Sequence, residues 1–158
     1  VGTVMTNSGI EQALQKMGKQ LIRTYVGERN IIEQLIAQQA MIGSEPCGHI
    51  TLMDHAFCSD GIFAALLFFE LITINPDVLT FEYQKYPQIH ATLPLTKKIV
   101  DKSVINSIIS EYSSSHARII IRPSNTESVL RIMVEHPDLQ TAQNIATQVQ
   151  QKCMDAFK

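Results

Sequence analysis

The chain has 158 residues, of which 45% are hydrophobic and 18% charged, and its formal net charge at pH 7 is −2. This composition is typical of one globular domain or two small ones, and it lacks the strongly basic face of nucleic-acid-binding proteins. The longest apolar stretch, residues 61–72, is too short to span a bilayer and predicts a buried helix instead. Three cysteines without a CxxC pair predict neither a disulfide framework nor a zinc site, so a reducing cytoplasm is the expected compartment.

Strand-like and helical segments alternate through the first half of the chain. Residues 1–6 predict a strand, and residues 8–18 carry apolar side chains at the i, i+3, i+4, i+7 spacing of an amphipathic helix. The next segments are a strand, a helix, a strand and an apolar helix capped by Ser59 or Asp60, over residues 20–26, 28–41, 48–53 and 61–72. The alternation predicts a three-layer α/β/α domain with a mostly parallel sheet. Because the strand pattern begins at Val1, we expect this domain to be truncated.

The tripeptide Asn-Pro-Asp at 75–77 interrupts this pattern, since proline cannot continue a helix and Asn-Pro favours a turn. It predicts a boundary between a first domain at 1–74 and a second domain at 75–158. The second domain is expected to contain a short helix, a strand, a helix with an isoleucine stripe, two strands and a final helix, over residues 77–86, 88–95, 97–113, 117–122, 128–134 and 138–157. This order predicts a small α+β domain.

A polar loop separates the last two predicted strands, in the sequence "RPSNTESVLR" from Arg122 to Arg131. The hydroxyls of Ser124 and Thr126, the amide of Asn125 and two guanidinium groups are donors that suit a phosphate. The alternative is a solvated hairpin loop whose arginines lie on the surface. Composition alone does not decide between the two.

The same residues resemble the phosphate-binding loop of the α-D-phosphohexomutases, R-x-S-[GN]-T-E-P followed by an arginine. The resemblance implies phosphate contact for Arg122, Ser124, Asn125 and Thr126, with Arg131 as a supporting cation. Ser128 stands where the family often has proline, which is expected to loosen the loop without changing its chemistry.

A second motif, "GSEPCGH" at 43–49, resembles the sugar-recognition loop G-G-E-x-S-G-H of the same family. It implies sugar contacts for Glu45, Cys47 and His49. Cys47 replaces the usual serine, and a thiol is a weaker hydrogen-bond donor than a hydroxyl. "VGER" resembles the V-G-D-R segment of phosphoglucosamine mutases, in which Arg29 is a further candidate; it can reach substrate charge or pair with Glu28 or Glu33.

Two more segments, "SDGIFAAL" and "YPQIHATL", resemble family motifs in the expected order. "VGER" and "YPQ" favour phosphoglucosamine mutases over phosphomannomutases or phosphoglucomutases. Neither the family's phosphoserine loop, T-A-S-H-N-P, nor its magnesium loop, D-G-D-x-D-R, occurs in the sequence. The resemblance therefore implies the end of domain 3 plus domain 4 of such an enzyme, inactive alone.

The resemblance also implies a set of ligands and partners. They are a hexose phosphate, N-terminal domains of the same protein, Mg²⁺ held outside this chain and a hexose 1,6-bisphosphate activator. An unpaired sheet edge allows a homodimer, and neither a membrane nor a nucleic acid is expected. Two alternatives remain, a non-enzymatic phosphosugar-binding module and an interaction domain with a degenerate site.

Overall fold

The computed structural model describes residues 1–80, 82–95, 100–124 and 126–157, and it divides into two compact units, Val1–Lys85 and Tyr86–Lys158. The division falls later than the boundary expected at residues 75–77. Asn75 instead caps the end of a helix, and the 3-10 turn Pro76–Thr80 follows it and contacts it, within the first unit. None of the described helices is both long and apolar enough to cross a membrane.

The first unit contains β1 (Gly2–Thr3), α1 (Ser8–Lys16), β2 (Arg23–Thr24), α2 (Glu28–Gln38), β3 (Ile42–Ser44), β4 (Ile50–Leu52) and α3 (Gly61–Ile74). β1 and β2 are parallel, whereas β3 and β4 form an antiparallel hairpin that strand–helix alternation did not indicate. Val1 joins the two pairs, because its amino group donates to Ile42 O at 2.7 Å and its carbonyl accepts from Ser44 N at 3.0 Å. The α/β class is confirmed.

Helix α2 packs its buried side chains Ile31 and Leu35 onto β3. The contact is close enough that a Cβ atom on Gly43 would collide with both side chains. Glycine is therefore required at this position, and the close packing places the residues after Gly43 beside the start of α2.

The apolar helix α3 is not buried, contrary to the sequence expectation. The structure describes all of Gly61–Ile74 and none of these residues is buried; Ile62 is 77% and Phe69 66% exposed. Among the described elements, β4 and the 3-10 turn contact this helix, and they leave most of its surface in solvent. Hydrophobicity predicted a helix that prefers burial, but the burial depends on partners that this fold does not provide.

The second unit is a three-stranded antiparallel sheet of order β5-β7-β6, with two helices on one face. Its elements are β5 (Gln88–Pro94), α4 (Lys102–Ser110), β6 (Arg118–Pro123), β7 (Val129–Glu135) and α5 (Leu139–Phe157). The helix expected over 97–113 thus begins at Lys102; residues 96–99 lie outside the described part of the chain. The core joins strand and helix side chains, including Leu93, Ile105, Ile108, Ile121, Leu130, Ile132, Val134, Ile145 and Val149.

Candidate functional site

The turn between β3 and β4 carries three of the side chains that the sequence motif singled out, Glu45, Cys47 and His49. The hairpin register pairs Ser44 with Ile50. Across the turn, Glu45 N donates to His49 O at 2.9 Å and Gly48 N donates to Glu45 O at 3.0 Å. Gly48 has φ +99°, a conformation that glycine adopts without steric cost. These bonds close the turn and hold its three candidate side chains together.

The Glu45 carboxylate lies at the centre of this group and is buried, although it belongs to a turn. Its Oε1 accepts a hydrogen bond from the Gly27 backbone N–H at 2.9 Å. Its Oε2 lies 3.3 Å from His49 Nδ1 and 3.8 Å from Cys47 Sγ. Cys47 and His49 are themselves exposed, so the group presents an imidazole and a thiol to solvent next to a buried carboxylate acceptor. This arrangement can bind vicinal hydroxyl groups.

The contact between Gly27 and Glu45 could not be found in the sequence, because 18 residues separate the partners. The same holds for Glu28, whose Oε1 accepts from the backbone N–H of Ser59, 31 residues away. This hydrogen bond lowers the pKa of the Glu28 carboxyl. Asp60 caps α3 as predicted, since its side chain accepts from Phe63 N at 2.9 Å. These contacts fix the start of α2 against the segment that follows β4.

Arg29 is the remaining candidate in the first unit. Its Nε donates to Glu33 Oε1 at 2.7 Å, and its side chain is 90% exposed. The hydrogen bond to Glu33 raises the pKa of the guanidinium. The structure thus places Arg29 in the helical pair that the sequence offered as one alternative, and its role toward a substrate stays a prediction.

In the second unit, Arg122 on β6 and Arg131 on β7 are directly paired in the antiparallel register. Residues that face each other in this way project to the same side of the sheet. Arg122 is half-buried and Arg131 is exposed. Arg131 Nη2 donates to Glu127 Oε2 at 2.7 Å. Two cationic side chains therefore share one sheet face next to the loop.

The loop between these strands contains the predicted hydroxyl donors. Ser124 N donates to Val129 O at 2.8 Å and closes the hairpin, while Ser124 Oγ lies 3.5 Å from Thr126 Oγ1. Asn125, which the family resemblance also assigned to phosphate contact, lies outside the described residues. Hydroxyl and guanidinium donors in this arrangement suit an anion with several oxygens.

Comparisons with known proteins match both units of the chain to one family. The family model described as "Phosphoglucomutase/phosphomannomutase, alpha/beta/alpha domain III" matches residues 1–89, and the C-terminal domain model of the same family matches residues 91–152. The phosphoglucosamine mutase of Thermotoga neapolitana is 36% identical over 153 residues, which cover 94% of this chain and 36% of that protein. The chain thus spans about a third of the length of the curated relatives that it matches.

Solved structures show the same fold. N-acetylphosphoglucosamine mutase of Aspergillus fumigatus in complex with glucose 1,6-bisphosphate has a TM-score of 0.76 at 18% identity, and the match covers 99% of this chain and 38% of that one. The same enzyme with GlcNAc-6P and magnesium has a TM-score of 0.74 at 18% identity, with 99% and 39% covered. At this identity the likeness establishes the fold alone.

Proposed function

The chain belongs to the phosphoglucomutase/phosphomannomutase family, and on that premise we propose that it forms the sugar- and phosphate-binding portion of a phosphoglucosamine mutase. The enzyme would interconvert glucosamine 6-phosphate and glucosamine 1-phosphate. Its substrate preference is supported by the name of the relatives at about 36% identity, and by the "VGER" and "YPQ" segments.

The observation that carries this proposal is the pairing of Arg122 with Arg131 beside a loop of hydroxyl donors. Like charges directly opposite each other destabilise a sheet. Glu127 already pairs with Arg131, and a bound phosphate would supply a further anion, because its oxygens accept from both planar guanidinium groups. The loop would then hold the phosphate that is not being transferred.

The turn at Glu45 would hold the sugar. The buried carboxylate is oriented by the Gly27 N–H, so that its second oxygen accepts from a sugar hydroxyl while His49 offers a ring nitrogen beside it. Cys47 supplies a weaker contact than serine would. We expect its exchange for serine to strengthen sugar binding modestly.

Magnesium does not fit the donor atoms that converge here. Among the residues that the structure describes, one group of three His, Cys, Asp or Glu side chains comes close enough to hold an ion, and it consists of Glu45, Cys47 and His49. Mg²⁺ requires oxygen ligands in octahedral geometry, which a thiol and an imidazole do not supply. The Mg²⁺ implied by the family resemblance therefore has no place in this turn.

Phosphoryl transfer itself would be carried out by residues that this sequence does not contain. The phosphoserine and magnesium motifs of the family are missing from the 158 residues, and phosphoryl transfer needs a metal and positioned charges to stabilise its transition state. We infer that the chain binds sugar phosphates without interconverting them. N-terminal domains of the same protein would be its partners.

Titration of the ¹⁵N-labelled chain with glucosamine 6-phosphate, followed by NMR, tests the proposal. Amide shifts are expected at residues 124–131 and at 45–49, whereas inorganic phosphate should shift the first group alone. Losing one charge-assisted hydrogen bond costs about 1.5–3 kcal/mol, so Arg122→Ala should weaken binding about 10- to 100-fold. Lys152→Ala removes an exposed cation elsewhere in the same unit and should leave the affinity unchanged.

The proposal fails if the unchanged chain shows no shifts at millimolar sugar phosphate, or if Arg122→Ala binds as tightly as Lys152→Ala. Shifts at 124–131 that inorganic phosphate reproduces in full, without response at 45–49, would instead favour a simple anion-binding loop. A coupled assay for glucosamine 1-phosphate on the same samples checks that the chain alone is inactive.

A further inference from the structure

The turn Glu45–His49 brings together an oxygen, a sulfur and a nitrogen atom that can each bind a metal ion. Glu45 Oε2, Cys47 Sγ and His49 Nδ1 all lie within 4.8 Å of one another. The carboxylate oxygen is 3.3 Å from the imidazole nitrogen and 3.8 Å from the sulfur. An oxygen, a nitrogen and a sulfur atom thus form a small triangle.

Two edges of this triangle, from Glu45 Oε2 to His49 Nδ1 and from Glu45 Oε2 to Cys47 Sγ, are close in length to the edges of a zinc coordination tetrahedron. Zinc binds nitrogen and oxygen at about 2.0–2.2 Å and sulfur at about 2.3 Å, which places its tetrahedral donors about 3.4–3.6 Å apart. The measured O–N and O–S separations differ from these edges by a few tenths of an ångström. The nitrogen and the sulfur lie within 4.8 Å of each other, and rotation of the exposed Cys47 and His49 side chains would bring them to the separation that an ion requires.

The backbone already holds the central ligand in position. Gly27 N–H donates to Glu45 Oε1 at 2.9 Å, which leaves Oε2 directed toward Cys47 and His49. Groups that hydrogen-bond to metal-binding carboxylates and imidazoles orient these ligands, and their mutation commonly lowers metal affinity about 10- to 100-fold. Because the turn is closed by its own backbone hydrogen bonds, little ordering remains for the ion to impose.

The donor set selects the ion. Thiolate and imidazole ligands favour Zn²⁺ and its spectroscopic substitute Co²⁺, and they disfavour Mg²⁺ and Ca²⁺, which bind oxygen. Cys47 and His49 are exposed, so an ion can enter from solvent, and three protein ligands leave a fourth position for water. Cysteine spacing gave no sign of such a site, because one cysteine is joined here by a histidine and a glutamate.

We propose that Glu45, Cys47 and His49 form a binding site for one Zn²⁺-class ion. On binding, the Cys47 thiol releases its proton to solvent and its sulfur forms the metal bond. A consequence rests on the proposed function: the ion and the sugar hydroxyls would use the same three side chains, so Zn²⁺ and glucosamine 6-phosphate would exclude each other.

Co²⁺ titration of the full chain, followed by its visible and near-ultraviolet absorption, tests the site without any sugar. One equivalent should bind, with a thiolate-to-metal charge-transfer band and the intense d–d bands of tetrahedral coordination, and Zn²⁺ should displace it while Mg²⁺ should not. Cys47→Ser should abolish the charge-transfer band and weaken Co²⁺ binding at least about 100-fold. Loss of a residue that only hydrogen-bonds to a metal ligand already weakens metal binding by up to about 100-fold, and loss of a ligand should cost more. The matched control is Cys58→Ser, which removes the other exposed cysteine and should leave both unchanged.

Three results would overturn the metal site: no charge-transfer band at millimolar Co²⁺, a band that survives Cys47→Ser, or a band that Cys58→Ser also removes. His49→Gln provides a second variant on an exposed side chain, and it should weaken Co²⁺ binding while circular dichroism stays unchanged. Repeating the sugar phosphate titration with and without Zn²⁺ separates the two proposals. Metal binding without any sugar response at residues 45–49 would contradict the proposed role in sugar binding and would still support the metal site.

Discussion

Arg122 and Arg131 lie directly opposite each other on β6 and β7, so that two guanidinium groups share one face of an antiparallel sheet. Arg131 is also paired with Glu127, whose carboxylate accepts at 2.7 Å, and the two side chains are 46% and 60% exposed. In the free chain this carboxylate occupies a guanidinium that the proposed phosphate would need. Phosphate binding, as proposed, would therefore be a competition between two anions for the same cation.

Glu127→Gln should strengthen phosphate binding. An exposed ion pair contributes about 0.2–1 kcal/mol, so abolishing the competing carboxylate is expected to tighten binding by up to about fivefold. Calorimetric titration with glucosamine 6-phosphate measures the change, and Arg131→Ala should shift the affinity in the opposite direction. Weaker binding by Glu127→Gln would mean that the glutamate positions Arg131 instead of competing for it.

Arg118→Met should destabilise the second unit strongly. Glu135 is 1% exposed, and its carboxylate accepts from Arg118 Nε at 2.9 Å and from Gln88 Nε2 at 2.6 Å. Removing the cation leaves a charge buried without its ion-pair partner, which costs about 3 kcal/mol or more. Urea denaturation measures the free energy of unfolding, with Lys152→Met, which breaks the exposed pair to Glu111, as control. Equal losses in both variants would contradict the prediction.

Phe69→Glu in α3 should change the free energy of unfolding little, within about 0.5 kcal/mol, because the side chain is 66% exposed. Leu35→Ala in the same unit should cost about 2–5 kcal/mol, since Leu35 is fully buried. Chemical denaturation followed by circular dichroism compares the two variants. A large loss in the free energy of unfolding for Phe69→Glu would mean that α3 is buried, as its hydrophobicity predicted.

Asp138→Asn should flatten the acid limb of the stability profile. Asp138 precedes α5 and accepts from Thr141 N at 2.7 Å, and hydrogen bonds from Thr141 hold the pKa of its carboxyl below the ordinary value of 3.8. A carboxyl with a lowered folded-state pKa contributes stability above its unfolded-state pKa, and this contribution is lost as the pH falls through the folded-state value. Asparagine retains the cap without titrating.

Thermal unfolding of both proteins from neutral pH to about pH 2, well below the ordinary carboxyl pKa, checks this expectation. The wild-type advantage should shrink as the pH falls, whereas Asp138→Ala should lack the cap at every pH. A difference between wild type and Asp138→Asn that stays constant with pH would contradict the assignment.

The three cysteines should differ in reactivity toward a disulfide reagent at pH 8. Cys47 and Cys58 are exposed, whereas Cys153 is fully buried in the second unit and its burial raises the pKa of the thiol to about 11. Two thiols should therefore react in the folded chain and the third after denaturation. If the metal site exists, Zn²⁺ should slow Cys47 alone, which peptide mapping of the modified cysteines would reveal. Rapid reaction of Cys153 in the folded chain would show that α5 opens readily.

Sequence patterns predicted the strands and helices from β5 onward, whereas the short helix expected over 77–86 was wrong: the structure has a 3-10 turn at Pro76–Thr80 in the first unit and no helix over residues 82–86. The apolar runs of β6 and β7 and the apolar stripe of α5 indicate buried elements locally, because short apolar runs are typical of buried strands and a stripe marks one helix face. Both candidate loops were also found from sequence, since each lies in one short hairpin segment. Their roles in binding sugar and phosphate stay predictions.

Contacts between segments that are distant in the sequence could not be predicted from such local patterns. The short strand β3 went unpredicted because its three residues show no periodicity of their own and are defined by pairing with β4. The first compact unit extends to Lys85, since the 3-10 turn after Asn75 keeps contact with α3 and does not begin a new unit. The exposure of α3 depends on which surfaces surround it, which its own composition does not specify.

The sequence by itself determined the fold class, the family and the loops that carry polar donors, because these follow from local periodicity and contiguous motifs. The tertiary structure decided the orientation of those donors. It placed the Glu45 carboxylate in hydrogen-bond contact with Gly27 N–H, which directs its other oxygen toward Cys47 and His49. It also placed Arg122 opposite Arg131, since a shift of one residue in strand register would turn one arginine to the other face of the sheet.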